Sequence, residues 1–335
     1  MSERAALSRA FLERAGWGGA ARGFLAGDAS DRSYDRLTNS AGTAVLMDAP
    51  PGRGDDPAAF VAIAAHLRGL GLSAPEVLAA DLPNGFLLLE DLGDALFARL
   101  LPDPVAEPML YAAATDVLVH LQGAPAPAGL PDLSAQDWAE AAGFAPDWYA
   151  FAATGQRPDR ARFTALLAEA MARHADGPRV LILRDYHAEN LLWLPEREGL
   201  ARVGLLDFQL AQMGQPGYDL VSLLQDARRD VPGDIERSMM LRFAAATGAG
   251  EASFTATYAV LGAQRALRIL GVFARLCLVA GKPGYVALIP RVWDQLWRNL
   301  RHPALAALAE ECRALLPEPR PALLERIRGQ CGRMR

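Results

Sequence analysis

Three polar side chains follow two short apolar runs of this 335-residue sequence, one of which ends at Leu183 and the other at Leu206. Asp185 and Asn190 share the segment Arg-Asp-Tyr-His-Ala-Glu-Asn, and Asp207 opens the triplet Asp-Phe-Gln. An aspartate, an asparagine and a second aspartate in this order are typical of enzymes that transfer phosphoryl groups, because carboxylate and amide oxygens bind Mg²⁺. We expect Asp185 to accept or orient the proton of an attacking hydroxyl. Asn190 would hold Mg²⁺, and Asp207 would bridge that metal to the β- and γ-phosphates of a nucleotide.

Each of these residues also has a structural interpretation when it is taken alone. An aspartate before a turn most often caps the backbone, so the order and spacing of the motif carry the prediction rather than Asp185 itself. His187 is expected to form hydrogen bonds that hold the loop, in preference to binding a metal. Glu189 is expected to point into solvent.

Small and polar residues occupy positions 26–33, between two predicted strands. Gly27, Ala29 and Ser30 would let backbone N–H groups approach phosphates closely. The segment matches neither a GxGxxG nor a Walker pattern, and an ordinary hairpin turn has the same composition.

An apolar strand at residues 87–89 ends where the composition changes from strand-rich to helix-rich. We expect an interlobe hinge at this point, where the backbone groups of Glu90, Asp91 and Leu92 would face an adenine ring.

The elements that must position these residues follow from the apolar periodicity. Strands are expected near residues 22–25, 34–38, 43–48, 77–80 and 85–89, with one amphipathic helix at 57–70. Long Ala- and Leu-rich helices are expected at 107–122, 136–153, 160–174, 217–229, 234–247, 253–280 and 284–301. Two short strands, at 179–183 and 202–206, interrupt them. The pattern predicts a nucleotide-binding lobe at 1–93, with its hinge at 90–93, and a helical lobe at 94–335 that carries the catalytic loop and the acceptor site.

Composition restricts the class of protein. An apolar fraction of 51% and a charged fraction of 22% indicate a folded globular chain, and the net charge of -5 argues against nucleic-acid and anionic-membrane partners. The three cysteines (Cys277, Cys312 and Cys331) form no CxxC pair and predict free thiols in a reducing compartment. The charged N-terminus lacks a signal-peptide core, so a cytoplasmic location is expected. Lys282 is the only lysine.

These motifs together resemble the aminoglycoside phosphotransferase and choline kinase branch of the protein-kinase-like fold. A closer resemblance is to the anomeric N-acetylmuramate/N-acetylglucosamine kinases of bacterial cell-wall recycling, and it rests on residues 27–30 with Tyr34, 47–51, 184–187 with Asn190, 207–209, 218–226, and 269–276 with 281–283. The resemblance implies an α+β bilobal fold, in which a small antiparallel sheet with one main helix precedes a larger helical lobe. It also implies that Asp219 anchors the catalytic loop without reacting.

One part of the general kinase pattern is missing. Kinases of the general type place a lysine on the third strand, paired with a helix glutamate, to hold the α- and β-phosphates. Here Met47 or Asp48 occupies the lysine position, and the helix at 57–70 contains no glutamate. The closer sugar-kinase group has the same Met-Asp-Ala-Pro-Pro segment. We therefore expect another cation to meet the phosphates, with Arg32 and Arg36 as the candidates.

Charged and aromatic residues of the predicted helical lobe indicate what kind of molecule accepts the phosphoryl group. Residues 252–303 contain one acid, Asp294, against seven basic residues (Arg265, Arg268, Arg275, Lys282, Arg291, Arg298 and Arg301). This surplus disfavours a polycationic acceptor and suits a sugar that carries a carboxylate, although solvated helix faces would show the same surplus. Trp138, Trp148 and Tyr149 are candidates to stack on a sugar ring, with core packing as the alternative.

The sequence thus predicts an ATP- and Mg²⁺-dependent kinase that phosphorylates the anomeric hydroxyl of N-acetylmuramate or N-acetylglucosamine. The product would be the sugar 1-phosphate of peptidoglycan recycling. One alternative is a kinase for another hydroxyl acceptor, such as an amino alcohol or an aminoglycoside. A nucleotide-binding pseudokinase is the other, motivated by the missing lysine.

Overall fold

The short apolar runs of the first ninety positions form a five-stranded antiparallel sheet in the computed structural model, which describes residues 3–27, 32–52, 54 and 56–334. The strand order is β1-β2-β3-β5-β4. The strands are β1 (Ala21–Gly27), β2 (Ser33–Asn39), β3 (Gly42–Asp48), β4 (Val77–Asp81) and β5 (Phe86–Glu90). All five coincide with strands that the sequence predicts.

A hydrophobic core joins this sheet to the first helix, α1 (Glu3–Arg14). Phe11 of the helix stacks on Phe86 of β5 with ring centroids 5.8 Å apart, and Leu37 and Leu46 complete the contact. The turn into β5 requires glycine, because Gly85 has φ +70 and a Cβ there would lie 1.9 Å from the carbonyl oxygen of Ala49.

The single helix predicted inside the sheet region is α2 (Pro57–Gly69). Asp56 caps it by accepting a hydrogen bond from the backbone N–H of Ala58 at 2.9 Å, and proline occupies the first helical position. Phe60 and Leu67 form its buried face together with Ile63.

The chain divides into two compact units, and the first comprises residues 1–129 and 183–211. Besides the sheet, α1 and α2, it contains α3 (Phe97–Leu100), α4 (Glu107–Gly123) and the hairpin of β7 (Leu191–Trp193) with β8 (Val203–Leu205). The lobe boundary at residue 93, which was expected from the change in composition there, stays a prediction.

The second unit comprises residues 130–182 and 212–335 and is mostly helical. Its strands, β6 (Val180–Ile182) and β9 (Gln212–Gly214), pair antiparallel. Its helices are α5 (Ala135–Ala142), α6 (Phe151–Thr154), α7 (Ala161–His174), α8 (Tyr218–Leu224), α9 (Gly233–Thr247), α10 (Glu251–Leu278), α11 (Ile289–Leu300), α12 (Ala306–Leu315) and α13 (Pro321–Arg328). No helix in the described ranges is both long and apolar enough to cross a membrane.

The continuous helix expected at 136–153 is instead three pieces, since α5 is followed by one π-helical segment, Ala145–Ala150, and then by α6. One local feature and one distant contact explain the break. Pro146 cannot donate a backbone hydrogen bond. Gly271 of α10 comes so close that a Cβ would lie 2.1 Å from the carbonyl carbon of Phe144. Packing against α10 therefore sets the path of the chain here.

The C-terminal part differs from the prediction in three further places. The helix expected at 217–229 ends at Leu224, the one expected at 284–301 opens as a 3-10 segment, and α12 and α13 were not expected. The three cysteines are free thiols, as predicted, and Cys277 and Cys312 are buried.

Candidate active site

Two residues beside the predicted catalytic motif hold unusual backbone conformations. Arg184, which precedes Asp185, has φ +72, and Asp207 has φ +56; among the described residues these are the only non-glycine positions with positive φ. Such conformations cost about 1–3 kcal/mol each and are found mainly where function requires them. The strain is thus concentrated at the motif that the sequence singles out.

Asn190 joins the two halves of the motif. Its Nδ2 donates to the carbonyl oxygen of Asp185 at 2.9 Å and lies 3.5 Å from Oδ2 of Asp207. The backbone carbonyl oxygen of Asn190 accepts a hydrogen bond from the backbone N–H of Leu206, the residue directly before Asp207, at 3.0 Å. A 3-10 turn, Ala188–Asn190, closes the loop. The side-chain amide of Asn190 is therefore placed beside the Asp207 carboxylate with its nitrogen toward that carboxylate, and its oxygen is the atom that would bind Mg²⁺, a cation that takes oxygen donors.

Asp207 is held from its other side by two donors. Nη2 of Arg32 and Nε2 of Gln209 each donate to its Oδ1 at 2.9 Å. The Arg32 side chain is 3% exposed and that of Asp207 is 30% exposed. Arg32 is thus a buried cation next to the expected metal ligand. The sequence named Arg32 but assigned no role to Gln209, whose only signal was its place in the Asp-Phe-Gln triplet.

A cavity of about 350 Å³ opens beside this cluster within the first unit. Its walls are mainly apolar, and several of its lining residues belong to the predicted site (Gly27, Glu90, Asp91, Leu92, Asn190 and Asp207). Apolar cavities of this size with a few convergent polar groups are typical of small-molecule sites. The structure therefore brings the predicted hinge, loop end and metal ligands to one place.

Arg36 has a different set of partners from Arg32. Its guanidinium pairs with Asp91 at 2.8 Å and with Asp94 at 2.7 Å, which ties the segment after β5 to strand β2. The hydrogen bond from Arg36 holds the pKa of Asp94 below its usual value. Arg36 thus contacts the predicted hinge, whereas Arg32 contacts the predicted metal ligand.

The residues on β3 that stand where general kinases carry a lysine have other contacts in this structure. Met47 is buried in the sheet, and Asp48 forms an ion pair with Arg4 at 2.5 Å. The helix α2 supplies an aromatic contact in place of a glutamate, because Phe60 stacks on Phe208 with centroids 4.8 Å apart. This stack packs the residue after Asp207 against α2.

Other predicted positions fall in different surroundings. Ala29 and Ser30 lie outside the described residues. Asp185 is half-buried, His187 is buried and Glu189 is exposed. Trp138 and Tyr149 are core residues at 1% and 0% exposure, and Tyr149 donates to the carbonyl oxygen of Pro317 at 2.6 Å.

The five-stranded sheet and the mostly helical second unit agree with a protein-kinase-like fold, and the loop that carries Asp185 and Asn190 agrees with a phosphotransferase. Residues 23–260 match the model of the phosphotransferase enzyme family, and the chain belongs to that family. It is 40% identical to an N-acetylmuramate/N-acetylglucosamine kinase of Caulobacter vibrioides over 92% of this chain and 95% of the relative. It is 34% identical to the kinase of the same name from Pseudomonas aeruginosa, over 84% of this chain and 85% of the relative.

Solved structures agree on the fold. The crystal structure of a choline/ethanolamine kinase family protein from Mesorhizobium loti matches with a TM-score of 0.61 at 18% identity, over 97% of this chain and 99% of that one. The predicted α+β fold, the predicted family and the predicted class of enzyme, a phosphotransferase, are confirmed.

Proposed function

We propose that this protein transfers the γ-phosphoryl group of MgATP to the anomeric hydroxyl of N-acetylmuramate or N-acetylglucosamine, in the cytoplasm. The observation that carries the proposal is the cluster of Asp185, Asn190 and Asp207 beside one cavity. The names of the curated relatives support the choice of sugar.

In this proposal the cavity holds the nucleotide. Its apolar walls include Val45, Leu89 and Leu206, which suit the two faces of a purine ring. Leu92 lines the same cavity, and within the described part of the chain its backbone N–H has no hydrogen-bond partner. That N–H is therefore a suitable donor to the ring.

The carboxylate of Asp207 and the amide oxygen of Asn190 would hold the magnesium ion, which when bound neutralises charge on the β- and γ-phosphates. Asp185 would orient the anomeric O–H and accept its proton as the new O–P bond forms and the bond from Pγ to the ADP oxygen breaks. An anomeric hydroxyl is more acidic than an ordinary alcohol, so late proton transfer to a carboxylate suffices.

Arg32 is the cation that we propose for the phosphates. We expect Arg32→Ala to raise the Michaelis constant for ATP roughly tenfold or more, because one charge-assisted contact contributes about 1.5–3 kcal/mol. Arg36→Ala is the matched control, since it removes an arginine bonded to Asp91 and Asp94, and its effect should be several-fold smaller. Equal Michaelis constants in the wild type and Arg32→Ala would refute this role.

The proposed function is tested by following ADP release with N-acetylmuramate, N-acetylglucosamine, an aminoglycoside and an amino alcohol as acceptors. We expect turnover with at least one of the two N-acetylated sugars, and a sugar 1-phosphate as the product. Turnover with only the aminoglycoside or the amino alcohol would identify another acceptor. ATP binding without turnover on any of the four would indicate a pseudokinase.

A further inference from the structure

The long helix α10 carries three arginines with different surroundings. Arg265 is buried and donates to Oγ of Ser222 at 2.8 Å and to the carbonyl oxygen of Gln225 at 3.4 Å, so it has a structural role. Arg275 is exposed and lies over the ring of Trp148, 5.6 Å from its centroid. Arg268 is half-buried, and among the residues that the structure describes it has neither an ion pair nor a hydrogen bond.

Helical spacing places Arg268 on a face of α10 whose neighbours are known. Positions 264, 268, 271 and 275 follow one another at intervals of four, three and four residues and therefore share a face. Gln264 donates through Nε2 to the carbonyl oxygen of Trp138 at 3.0 Å, and Gly271 abuts Phe144. This face thus packs on the segment 135–150, and Arg268 lies between two of its contacts.

The acids of that segment are already engaged. Asp137 closes the cap of α5 with Ser134, Glu140 pairs with Arg160 at 2.7 Å, and Asp147 pairs with the same arginine at 3.2 Å. A half-buried guanidinium without a counter-charge is unfavourable, and an anionic ligand would relieve it.

Two buried polar atoms, one on Gln264 and one on Trp138, indicate which other group the ligand carries. Gln264 lies one helical turn before Arg268. Gln264 and Trp138 are 0% and 1% exposed. In the described structure, Oε1 of Gln264 and Nε1 of Trp138 have no hydrogen-bond partner. One is an acceptor and the other a donor, which is the complement of the N–H and C=O of a secondary amide. Arg268 lies four positions after Gln264 on the helix, a rise of about 6 Å.

We propose that Gln264, Trp138 and Arg268 form the acceptor-recognition site, in which Gln264 and Trp138 bind the acetamido group and Arg268 binds the carboxylate of N-acetylmuramate. The inference rests on the proposed function. N-acetylmuramate carries its acetamido and lactyl groups on adjacent ring carbons, which matches two polar groups one helical turn apart. N-acetylglucosamine has the acetamido group alone, so Arg268 discriminates between the two sugars.

The test compares kcat/KM for both sugars in the wild type, Arg268→Gln and Arg275→Gln. Arg275→Gln removes the same charge from the same helix and serves as the control. In Arg268→Gln we expect kcat/KM for N-acetylmuramate to fall roughly 10- to 100-fold, with the value for N-acetylglucosamine within about twofold of the wild type. Arg275→Gln should leave the ratio between the sugars unchanged.

An unchanged ratio in Arg268→Gln, or an equal change in Arg275→Gln, would overturn the assignment of the carboxylate.

For the acetamido group, Gln264→Met should abolish the preference for N-acetylglucosamine over glucose, and its melting temperature shows whether the core survives. A folded Gln264→Met with the wild-type preference would overturn that part. A wild type that phosphorylates neither N-acetylated sugar would refute the proposed function itself, before any variant is compared.

Discussion

Replacing Asp185 by alanine is expected to lower kcat by about 10³-fold, because positioned acid–base groups contribute roughly 10²- to 10⁴-fold. The carbonyl oxygen of Asp185 remains to accept from Asn190, so the loop keeps that hydrogen bond. The Michaelis constant for ATP should change little, because this carboxylate is assigned to the acceptor hydroxyl and does not line the cavity. Steady-state kinetics at saturating ATP, together with a thermal melt, measures both effects.

Glu196→Ala is the control for that experiment. Glu196 is an exposed carboxylate between β7 and β8 that does not line the cavity, and we expect its removal to leave kcat near the wild-type value. If Asp185→Ala melted cooperatively and still turned over at the wild-type rate, Asp185 would not be the residue that orients the hydroxyl.

Replacing Asp207 by alanine is expected to abolish turnover and also to weaken the fold. The variant removes a proposed metal ligand and deprives Arg32 of a carboxylate at 2.9 Å. A fully buried pair costs about 3–5 kcal/mol when one partner is removed, and the partial exposure of Asp207 reduces the expected loss to about 1–3 kcal/mol. Kinetics and the melting temperature with and without MgATP measure the two effects.

Asp207→Asn separates the two effects. Asparagine tolerates the left-handed backbone at φ +56 and still offers an oxygen to Arg32 and Gln209. We therefore expect Asp207→Asn to be nearly as inactive as Asp207→Ala but closer to the wild type in stability. Stabilisation of Asp207→Ala by MgATP to the wild-type extent would contradict the metal assignment.

Local pattern was sufficient to predict the strands of the sheet and α2, because short apolar runs between turn residues indicate the strands, and Pro57 followed by one apolar face indicates the helix. It did not predict the change of helix type within 136–153, where the apolar periodicity continues across the break between α5 and the π-helical segment. The break depends on a close approach by Gly271, which is more than one hundred positions away in the chain. A contact between residues so far apart in the chain cannot be predicted from a short stretch of sequence.

The candidate site shows the same division. The order of Asp185, Asn190 and Asp207 in the sequence was enough to predict that they act together, and the structure places them within one hydrogen-bonded cluster. Arg32 and Arg36 could not be distinguished from their neighbourhoods alone. Their partners, Asp207 for one and Asp91 with Asp94 for the other, come from distant parts of the chain.

The pairing of Arg32 with Asp207 has a thermodynamic consequence within the proposed function. A cation at the Asp207 carboxylate would weaken its attraction for the Arg32 guanidinium, and a phosphate at Arg32 would weaken the attraction of that guanidinium for Asp207. Each change of partner therefore makes the other more favourable. Affinity for the metal should rise with nucleotide concentration, and affinity for the nucleotide should rise with metal concentration by the same factor, since linkage is reciprocal.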